Sequence, residues 1–164
     1  MPDRTPDCAA DRTSDRATNA SVQRNAAPYC HTVRVYWEDT DAGGVVFYAN
    51  YLKYFERART EWLRAAGVAQ QALVDETGAI FIVTDTRVRY LKPARLDDLL
   101  SVSVEPMAIG RARLTLKQQC WRDTVLLSEG TIEVACVSHG TFRPQRIPTP
   151  VLQRLLPQAT SISE

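Results

Sequence analysis

The most regular pattern of apolar positions lies between residues 50 and 67 and predicts a long helix. Apolar or small side chains recur there at steps of three and four residues, the spacing of one buried helical face: Tyr51, Phe55, Ala58, Trp62 and Ala65. The opposite face carries charged side chains: Lys53, Arg57, Glu61 and Arg64. Asn50 is placed as an N-cap, and Gly67 as the C′ residue that stops the helix.

Strands are predicted on both sides of this helix. Residues 30–37 alternate between apolar and polar side chains, which is the period of a half-buried strand. After a short second helix at 68–76, ended by Gly78, four more strands are predicted: 79–91, 99–105, 112–121 and 125–139. Prolines bracket a last short helix near the C-terminal end. This order favours an α+β domain, in which a curved antiparallel sheet covers the long helix.

The composition narrows the class of protein. The 164 residues carry 20 basic and 19 acidic side chains, so the charge gives no electrostatic case for binding nucleic acid or an acidic membrane. No apolar run approaches the roughly 18 residues that a membrane-spanning helix needs. Residues 1–28 are poor in large apolar side chains and lack the apolar segment of a signal peptide. We expect a disordered tail at 1–28, one domain at 29–157, a C-terminal tail at 158–164 and a cytoplasmic location.

The predicted sheet has a consequence for assembly. A single sheet around one helix leaves at least one edge strand with unpaired backbone groups, and proteins usually pair or cover such an edge. Closed two-fold symmetry is the commonest way to do so. We therefore expect a homodimer in which the two sheets join edge to edge.

Asp41 stands where acyl-transfer chemistry is expected. Its carboxylate precedes Gly43, Gly44 and the start of the long helix. A helix N-terminus offers free N–H groups and the positive end of a dipole, which together polarise a carbonyl group lodged there. A carboxylate beside that carbonyl attacks it directly or deprotonates the water that does. The same pattern is also typical of turns and caps without catalysis, so the spacing alone leaves both interpretations open.

The cysteines, histidines, remaining carboxylates and tyrosines offer no second candidate for an active site or a metal site. The four cysteines show no C-x-x-C spacing and the two histidines lie far apart, so no metal site is predicted. Glu38 and Asp39 are interpreted as solvated or capping groups, and Glu56 as an ion-pair partner of basic neighbours on its helix. Three tyrosines of the same stretch are interpreted first as packing residues: Tyr48, Tyr51 and Tyr54.

The run from Glu38 to Leu63 (EDTDAGGVVFYANYLKYFERARTEWL) resembles the signature of hot-dog-fold acyl-CoA thioesterases of the 4-hydroxybenzoyl-CoA thioesterase type. It is more closely similar to the subgroup associated with the bacterial Tol–Pal cell-envelope system. Further matching segments follow in order: QQAL, YLKPARLDD and PQRIP. The resemblance covers about residues 33–148 and implies a hot-dog fold, a long helix wrapped by an antiparallel sheet, assembled as dimers or tetramers.

The resemblance also implies roles for individual residues. Asp41 matches the catalytic carboxylate, acting as nucleophile or as general base, a choice that the family leaves open. Tyr48 matches the residue whose backbone N–H polarises the thioester carbonyl. Contacts with the substrate or with coenzyme A are predicted at five residues: Gly44, Asn50, Lys92, Arg113 and Arg146. Arg146 matches an arginine of the family, whereas Lys92 and Arg113 rest on charge and position alone.

A dehydratase, a non-catalytic binding protein and a second class of thioester substrate are the alternatives to acyl-CoA hydrolysis. A hot-dog dehydratase relies on a histidine near the central helix, and the absence of histidine between His31 and His139 argues against it. A sensor of acyl-CoA, or a scaffold for lipid-synthesis or envelope proteins, would bind thioester and leave it intact. Acyl carrier protein thioesters are a second substrate class, with lipid-synthesis enzymes as candidate partners, and no cofactor is expected. The preferred acyl chain length stays open.

Overall fold

The computed structural model describes residues 27–158. Within them the α-helices and strands are, in chain order, β1 Tyr29–Arg34, α1 Asn50–Ala65, α2 Gln70–Thr77, β2 Ala79–Tyr90, β3 Leu99–Ile109, β4 Arg113–Arg122, β5 Val125–Ser138 and α3 Thr149–Leu155. Short 3₁₀ turns lie at Trp37–Asp39 and Leu156–Gln158. The tails predicted at 1–28 and 158–164 fall almost wholly outside the described residues.

The strands form one antiparallel sheet in the order β1-β3-β4-β5-β2. The edges of the sheet are therefore β1, with 6 residues, and β2, with 12. Register shifts interrupt three of the four strand pairs, between Val83 and Asp85, Pro106 and Ala108, and Cys120 and Trp121. Such bulges increase the local twist and bend a strand, so they curve the sheet towards the helix that it covers.

Helix α1 packs against this sheet with the apolar face that its sequence predicts. Tyr54, Phe55 and Ala58 are fully buried, and Trp62 is nearly so. The helix packs against β1, β3 and β4. Buried side chains of β3 and β4 complete the core, among them Leu100, Val102, Val104, Leu114 and Leu116. The predicted α+β arrangement of one long helix against an antiparallel sheet is confirmed.

The end of α1 also follows the prediction. Gly67 has a φ of 78°, the left-handed conformation that a C′ glycine supplies without strain. Its N–H donates to the carbonyl of Arg64 at 2.9 Å, and the N–H of Val68 donates to the carbonyl of Leu63 at 2.8 Å. These are the two hydrogen bonds of a Schellman motif, which satisfy carbonyls that the helix end leaves free.

Three local predictions are wrong. Trp37 lies in a 3₁₀ turn rather than in the first strand, and its side chain is 79% exposed. The N-cap of α1 is Ala49, and Asn50 is the first helical residue, with no capping hydrogen bond from a side chain. Ala65 is exposed at the last turn of α1, where Leu63 takes the buried position.

No helix in the described part of the chain is long and apolar enough to cross a membrane.

Candidate active site

The segment between the first 3₁₀ turn and α1 folds into a tight, closed turn. Thr40 and Val46 form an antiparallel bridge, and the N–H of Asp41 donates to the carbonyl of Val45 at 2.9 Å. Within this bridge the N–H of Gly44 donates back to the carbonyl of Asp41, also at 2.9 Å. Gly44 has a φ of 70°, which explains glycine at that position, since a β-carbon is strained in the left-handed region. The turn is therefore fixed by its own backbone.

The carboxylate of Asp41 is exposed and held by this turn at one oxygen. Oδ1 accepts a hydrogen bond from the N–H of Gly43 at 2.8 Å, the geometry of an Asx turn. A β-carbon at Gly43 would lie 3.1 Å from the same oxygen, so glycine gives the carboxylate its room. Within residues 27–158 no hydrogen bond reaches Oδ2. Asp41 thus presents one oriented, unengaged oxygen to the solvent.

A free backbone donor lies at the other end of the turn. The N–H of Phe47 donates to the carbonyl of Asp39 at 2.9 Å, and the N–H of Asn50 donates to the carbonyl of Phe47 at 2.8 Å. Between them, the N–H of Tyr48 has no acceptor among the described residues. It stands at the start of α1, where the helix dipole is positive. An N–H in this position is suited to polarise a carbonyl oxygen.

Asp39 and Asn50 connect the turn to the helix through a contact that no sequence pattern indicates. Asp39 is 3% exposed, and its Oδ2 accepts a hydrogen bond from the N–H of Tyr36 at 2.9 Å. Its backbone carbonyl accepts both the N–H of Phe47 and the side-chain Nδ2 of Asn50, the latter at 3.0 Å. Asn50 is buried, so the contact that it makes here is structural, and its substrate contact stays a prediction.

The hydroxyl of Tyr54 is buried near the carboxylate of Asp39. The pKa of Tyr54 is raised well above its ordinary value, first by burial and then by the charge of Asp39. Tyr54 therefore stays a neutral phenol throughout the physiological range. Of the two roles interpreted from the sequence for Asp39, the capping role is confirmed, since its carboxylate accepts the N–H of Tyr36 at the start of the first 3₁₀ turn. The solvated role is wrong, because the residue is buried.

Aromatic side chains form an open pocket of about 260 Å³ beside the helix start. Tyr90 of β2 packs edge to face against Tyr48 and Tyr51, with ring centroids 6.1 and 5.5 Å apart. Lys92 lies in the wall of the same pocket and is exposed. The structure therefore brings Tyr48 and Lys92 together at one pocket, while the Asp41 turn leads directly into it through Val46.

The other predicted coenzyme A residues lie elsewhere on the molecule. Arg113 begins β4 and Arg146 follows β5, and both are exposed. A hydrogen bond from the N–H of Ile147 to the carbonyl of Arg111 brings the two segments together. In the sheet, Arg113 and Ile82 both pair with Ala135, whereas Tyr90 lies eight residues further along β2. At about 3.3 Å per residue this separates the arginines from the aromatic pocket by about 26 Å along the strand.

Comparisons with known proteins identify the family of the chain. A sequence profile described as the thioesterase-like superfamily matches residues 35–155. The acyl-CoA thioesterase YbgC of Haemophilus influenzae is 46% identical over 119 residues, which cover 73% of this chain and 88% of that protein. The acyl-CoA thioester hydrolase YbgC of Escherichia coli O6:H1 is 42% identical over 121 residues, covering 73% and 90%.

A solved structure agrees with these relatives. The crystal structure of a probable thioesterase from Bartonella henselae superposes with a TM-score of 0.70 at 31% identity, covering 74% of this chain and all of that one. The hot-dog fold that the sequence motif implied is thereby confirmed. On the match of its profile over most of the chain, and on relatives above 40% identity, this protein belongs to the thioesterase-like superfamily.

Proposed function

We propose that this protein hydrolyses acyl-CoA thioesters at the Asp41 turn. The observation that carries the proposal is the pairing of two unengaged groups on one rigid turn. Asp41 offers a free carboxylate oxygen, and seven residues later Tyr48 offers a free backbone N–H at a helix start. Membership of the superfamily, and relatives named as acyl-CoA thioesterases, support the same chemistry.

Two routes use these groups, and the proposal keeps both. In each, the N–H of Tyr48 donates to the thioester oxygen and stabilises the negative charge that develops on it. In the first, the carboxylate of Asp41 attacks the carbonyl carbon, the C–S bond breaks and coenzyme A leaves as its thiolate. Water then hydrolyses the resulting acyl-aspartyl anhydride. In the second, Asp41 takes a proton from a water molecule, which attacks the carbon directly.

A dimer would bring the predicted coenzyme A residues close to the aromatic pocket. The phosphates of coenzyme A need cations, and the arginines predicted for this task lie about 26 Å along the strand from the pocket of the same protomer. The edge strand β2 is long and leaves Val83 and Tyr90 about half exposed. Antiparallel pairing of β2 with its copy would place the start of one strand beside the end of the other. Arg113 and Arg146 of a second copy would then approach the Tyr48 pocket.

Release of free thiol tests the proposal. A panel of acyl-CoAs from short to long, with one aromatic member and matching acyl carrier protein thioesters, is offered to wild type and Asp41→Asn. We expect turnover in wild type and a loss of at least about a hundredfold in the variant, because the amide keeps the shape and lacks basicity and nucleophilicity. Glu38→Gln, at an exposed carboxylate three residues earlier, should keep wild-type rates.

The outcomes separate the candidate functions. Equal turnover by wild type and Asp41→Asn would show that Asp41 is not the catalytic group. Acyl-CoA binding without turnover across the panel would favour a sensor or scaffold. After a single turnover in ¹⁸O-labelled water, label in the carboxylate of Asp41 would establish an anhydride whose aspartyl carbon is attacked by water. Attack on the acyl carbon places the label in the acid product in either route.

A further inference from the structure

A second pocket, of about 120 Å³, lies between α1 and the sheet. Its apolar walls come from α1, β2, β4 and β5: Trp62, Leu63, Phe81, Val83, Leu114, Leu116 and Val134. Its polar side is formed by Glu56, Arg59, Thr60 and Gln70. A dry cavity of about 150 Å³ holds one benzene molecule, so this pocket is the size of a small ring or of the end of an aliphatic chain. Such a site is suited to an apolar group with few polar contacts.

One charged side chain in this pocket is not explained by the stability of the fold. Arg59 is partly buried, and burial lowers its pKa from the ordinary value, an effect that Glu56 opposes. Its Nη1 donates to Oε1 of Gln118 at 2.8 Å. Within residues 27–158 this is the one hydrogen bond of its guanidinium, which forms no ion pair there. A guanidinium carries five N–H donors, so most of them are left for another partner.

Gln118 fixes the guanidinium in place. Its side chain is fully buried on β4, and its Nε2 donates to the backbone carbonyl of Phe55 at 3.0 Å. Both ends of this amide are therefore used, one on the helix backbone and one on Arg59. Even buried ion pairs are often no more stabilising than apolar side chains of similar volume, so stability alone does not require a charged group here. The arrangement of Gln118 and Arg59 instead holds a charged donor at the wall of an apolar pocket.

Both pockets are lined by residues of α1 and β2: Tyr51 and Tyr90 at the proposed reaction site, and Leu63 and Phe81 at this one. Leu52, Arg59 and Leu63 are spaced by seven and four residues, the spacing of one stripe along α1, and Tyr48 lies just before this helix. Leu52 lies about two turns before Arg59 on this stripe, towards the helix start, and is an apolar side chain that is 42% exposed. Arg59 is nine residues into α1, about 14 Å along its axis, and its side chain leans back towards the helix start.

We propose that Arg59 determines acyl specificity, by selecting acyl groups of about eight carbons whose far end carries oxygen. The inference rests on the proposed thioesterase function, and it adds the class of substrate. A hydroxyl or a carboxylate at the end of the acyl chain accepts hydrogen bonds from the free N–H groups of Arg59, while the methylenes lie along Leu52 and the apolar walls of the pocket. An extended eight-carbon chain spans about 9 Å from bonds of about 1.5 Å, which matches the separation once the reach of the arginine side chain is subtracted. A plain methyl end leaves these donors unpaired.

Three CoA thioesters of equal length test the inference: octanoyl-, 8-hydroxyoctanoyl- and suberoyl-CoA. For wild type we expect kcat/KM to be at least about tenfold higher for the two oxygen-terminated substrates, since a site built to hydrogen-bond rejects an analogue that lacks the group. In Arg59→Met this preference should disappear, with octanoyl-CoA hydrolysed as well as before or better. The hydroxyl and carboxylate arms show which oxygen group is preferred.

Arg57→Met is the matched control, because Arg57 lies on the same helix and is exposed outside the pocket. It should keep the wild-type preference. The same ratio among the three substrates in wild type and Arg59→Met would overturn the inference, as would an equal change in Arg57→Met. If Arg59→Met does not fold, Arg59→Lys decides: it keeps the charge without the planar fork, so the hydroxyl preference should fall while the carboxylate preference persists. Unchanged preferences in Arg59→Lys would then overturn it.

A binding measurement separates this inference from the proposed hydrolysis. Calorimetric titration of the same three thioesters into Asp41→Asn and into Asp41→Asn/Arg59→Met needs no turnover. Tighter binding of the oxygen-terminated substrates, lost in the double variant, supports the pocket even if wild type hydrolyses none of them. Equal affinities in both proteins overturn the pocket even if hydrolysis is confirmed.

Discussion

Replacing Asn50 with alanine removes the side-chain contact between α1 and the Asp41 turn. The amide is 6% exposed, and its Nδ2 donates to the carbonyl of Asp39 at 3.0 Å. That carbonyl keeps the N–H of Phe47 at 2.9 Å, so the variant leaves it with one donor instead of two. The change therefore loosens the connection between the turn and the helix without leaving the carbonyl unpaired.

The size of the effect follows from this geometry. One hydrogen bond with a buried partner is worth about 1–2 kcal/mol, because the remaining donor offsets part of the loss. In a domain of this size 1 kcal/mol lowers Tm by about 3–4 °C, so we expect a fall of about 3–8 °C. Asp39 lies two residues before Asp41, and Phe47 directly before Tyr48. A displacement between these groups should lower kcat about tenfold or more and change KM less.

Thermal unfolding and steady-state kinetics check this together. Asn50→Asp should be worse than Asn50→Ala on both measures, since it places an acceptor against the carbonyl of Asp39. Lys53→Ala, on the exposed face of the same helix, serves as the control. A rise in KM with unchanged kcat and unchanged Tm would refute the positional role, and would instead support the substrate contact predicted from the sequence.

Two other predictions concern pH and assembly. Burial raises the pKa of Cys120 from 9.0 to about 12, so the folded state favours the neutral thiol. The stability that this preference gives the folded state is complete below pH 9 and is lost as the pH rises towards 12. Over that window the unfolding free energy of wild type should fall more steeply than that of Cys120→Ala, by about 1.4 kcal/mol per pH unit, and equal slopes in urea titrations would contradict this. Light scattering at micromolar concentration should show a dimer or tetramer, and Val83→Glu on the edge strand should shift it towards monomer. A monomeric wild type would exclude the edge-to-edge assembly.

Local patterns predicted the parts of the fold that depend on neighbouring residues. The three- and four-residue spacing placed α1, and Gly67 placed its end, because both are set within one stretch of chain. The alternating pattern predicted a strand through Trp37, and this was wrong. The carboxylate of Asp39 accepts a hydrogen bond from the N–H of Tyr36, and residues 37–39 form a 3₁₀ turn. Such local side-chain contacts compete with strand pairing, and they leave the apolar pattern unchanged.

The site divides in the same way. The Asp41 turn and the free N–H of Tyr48 both lie in one local stretch of backbone. The turn was predicted from its own residues, whereas the role of Tyr48 came from the family resemblance and stays a prediction. Arg59 was missed because its environment depends on Gln118, 59 residues away on β4, and a basic residue on a helix normally faces solvent. One signal was present: Arg59 lies four residues after Phe55 and three before Trp62, at the border of the buried face.

The closed turn from Thr40 to Val46 has a consequence for engineering. Its closing hydrogen bonds run between residues of the segment 36–50, and the main external contact is the N–H of Val46 with the carbonyl of Ala94 at 2.9 Å. The proposed catalytic carboxylate and the proposed oxyanion donor are thus carried by one continuous stretch of about fifteen residues. Transfer of this stretch to another scaffold would need a helix to follow it and a single backbone acceptor beside it. The geometry of the proposed site is therefore set within one short segment, whereas the two pockets also need side chains from the sheet.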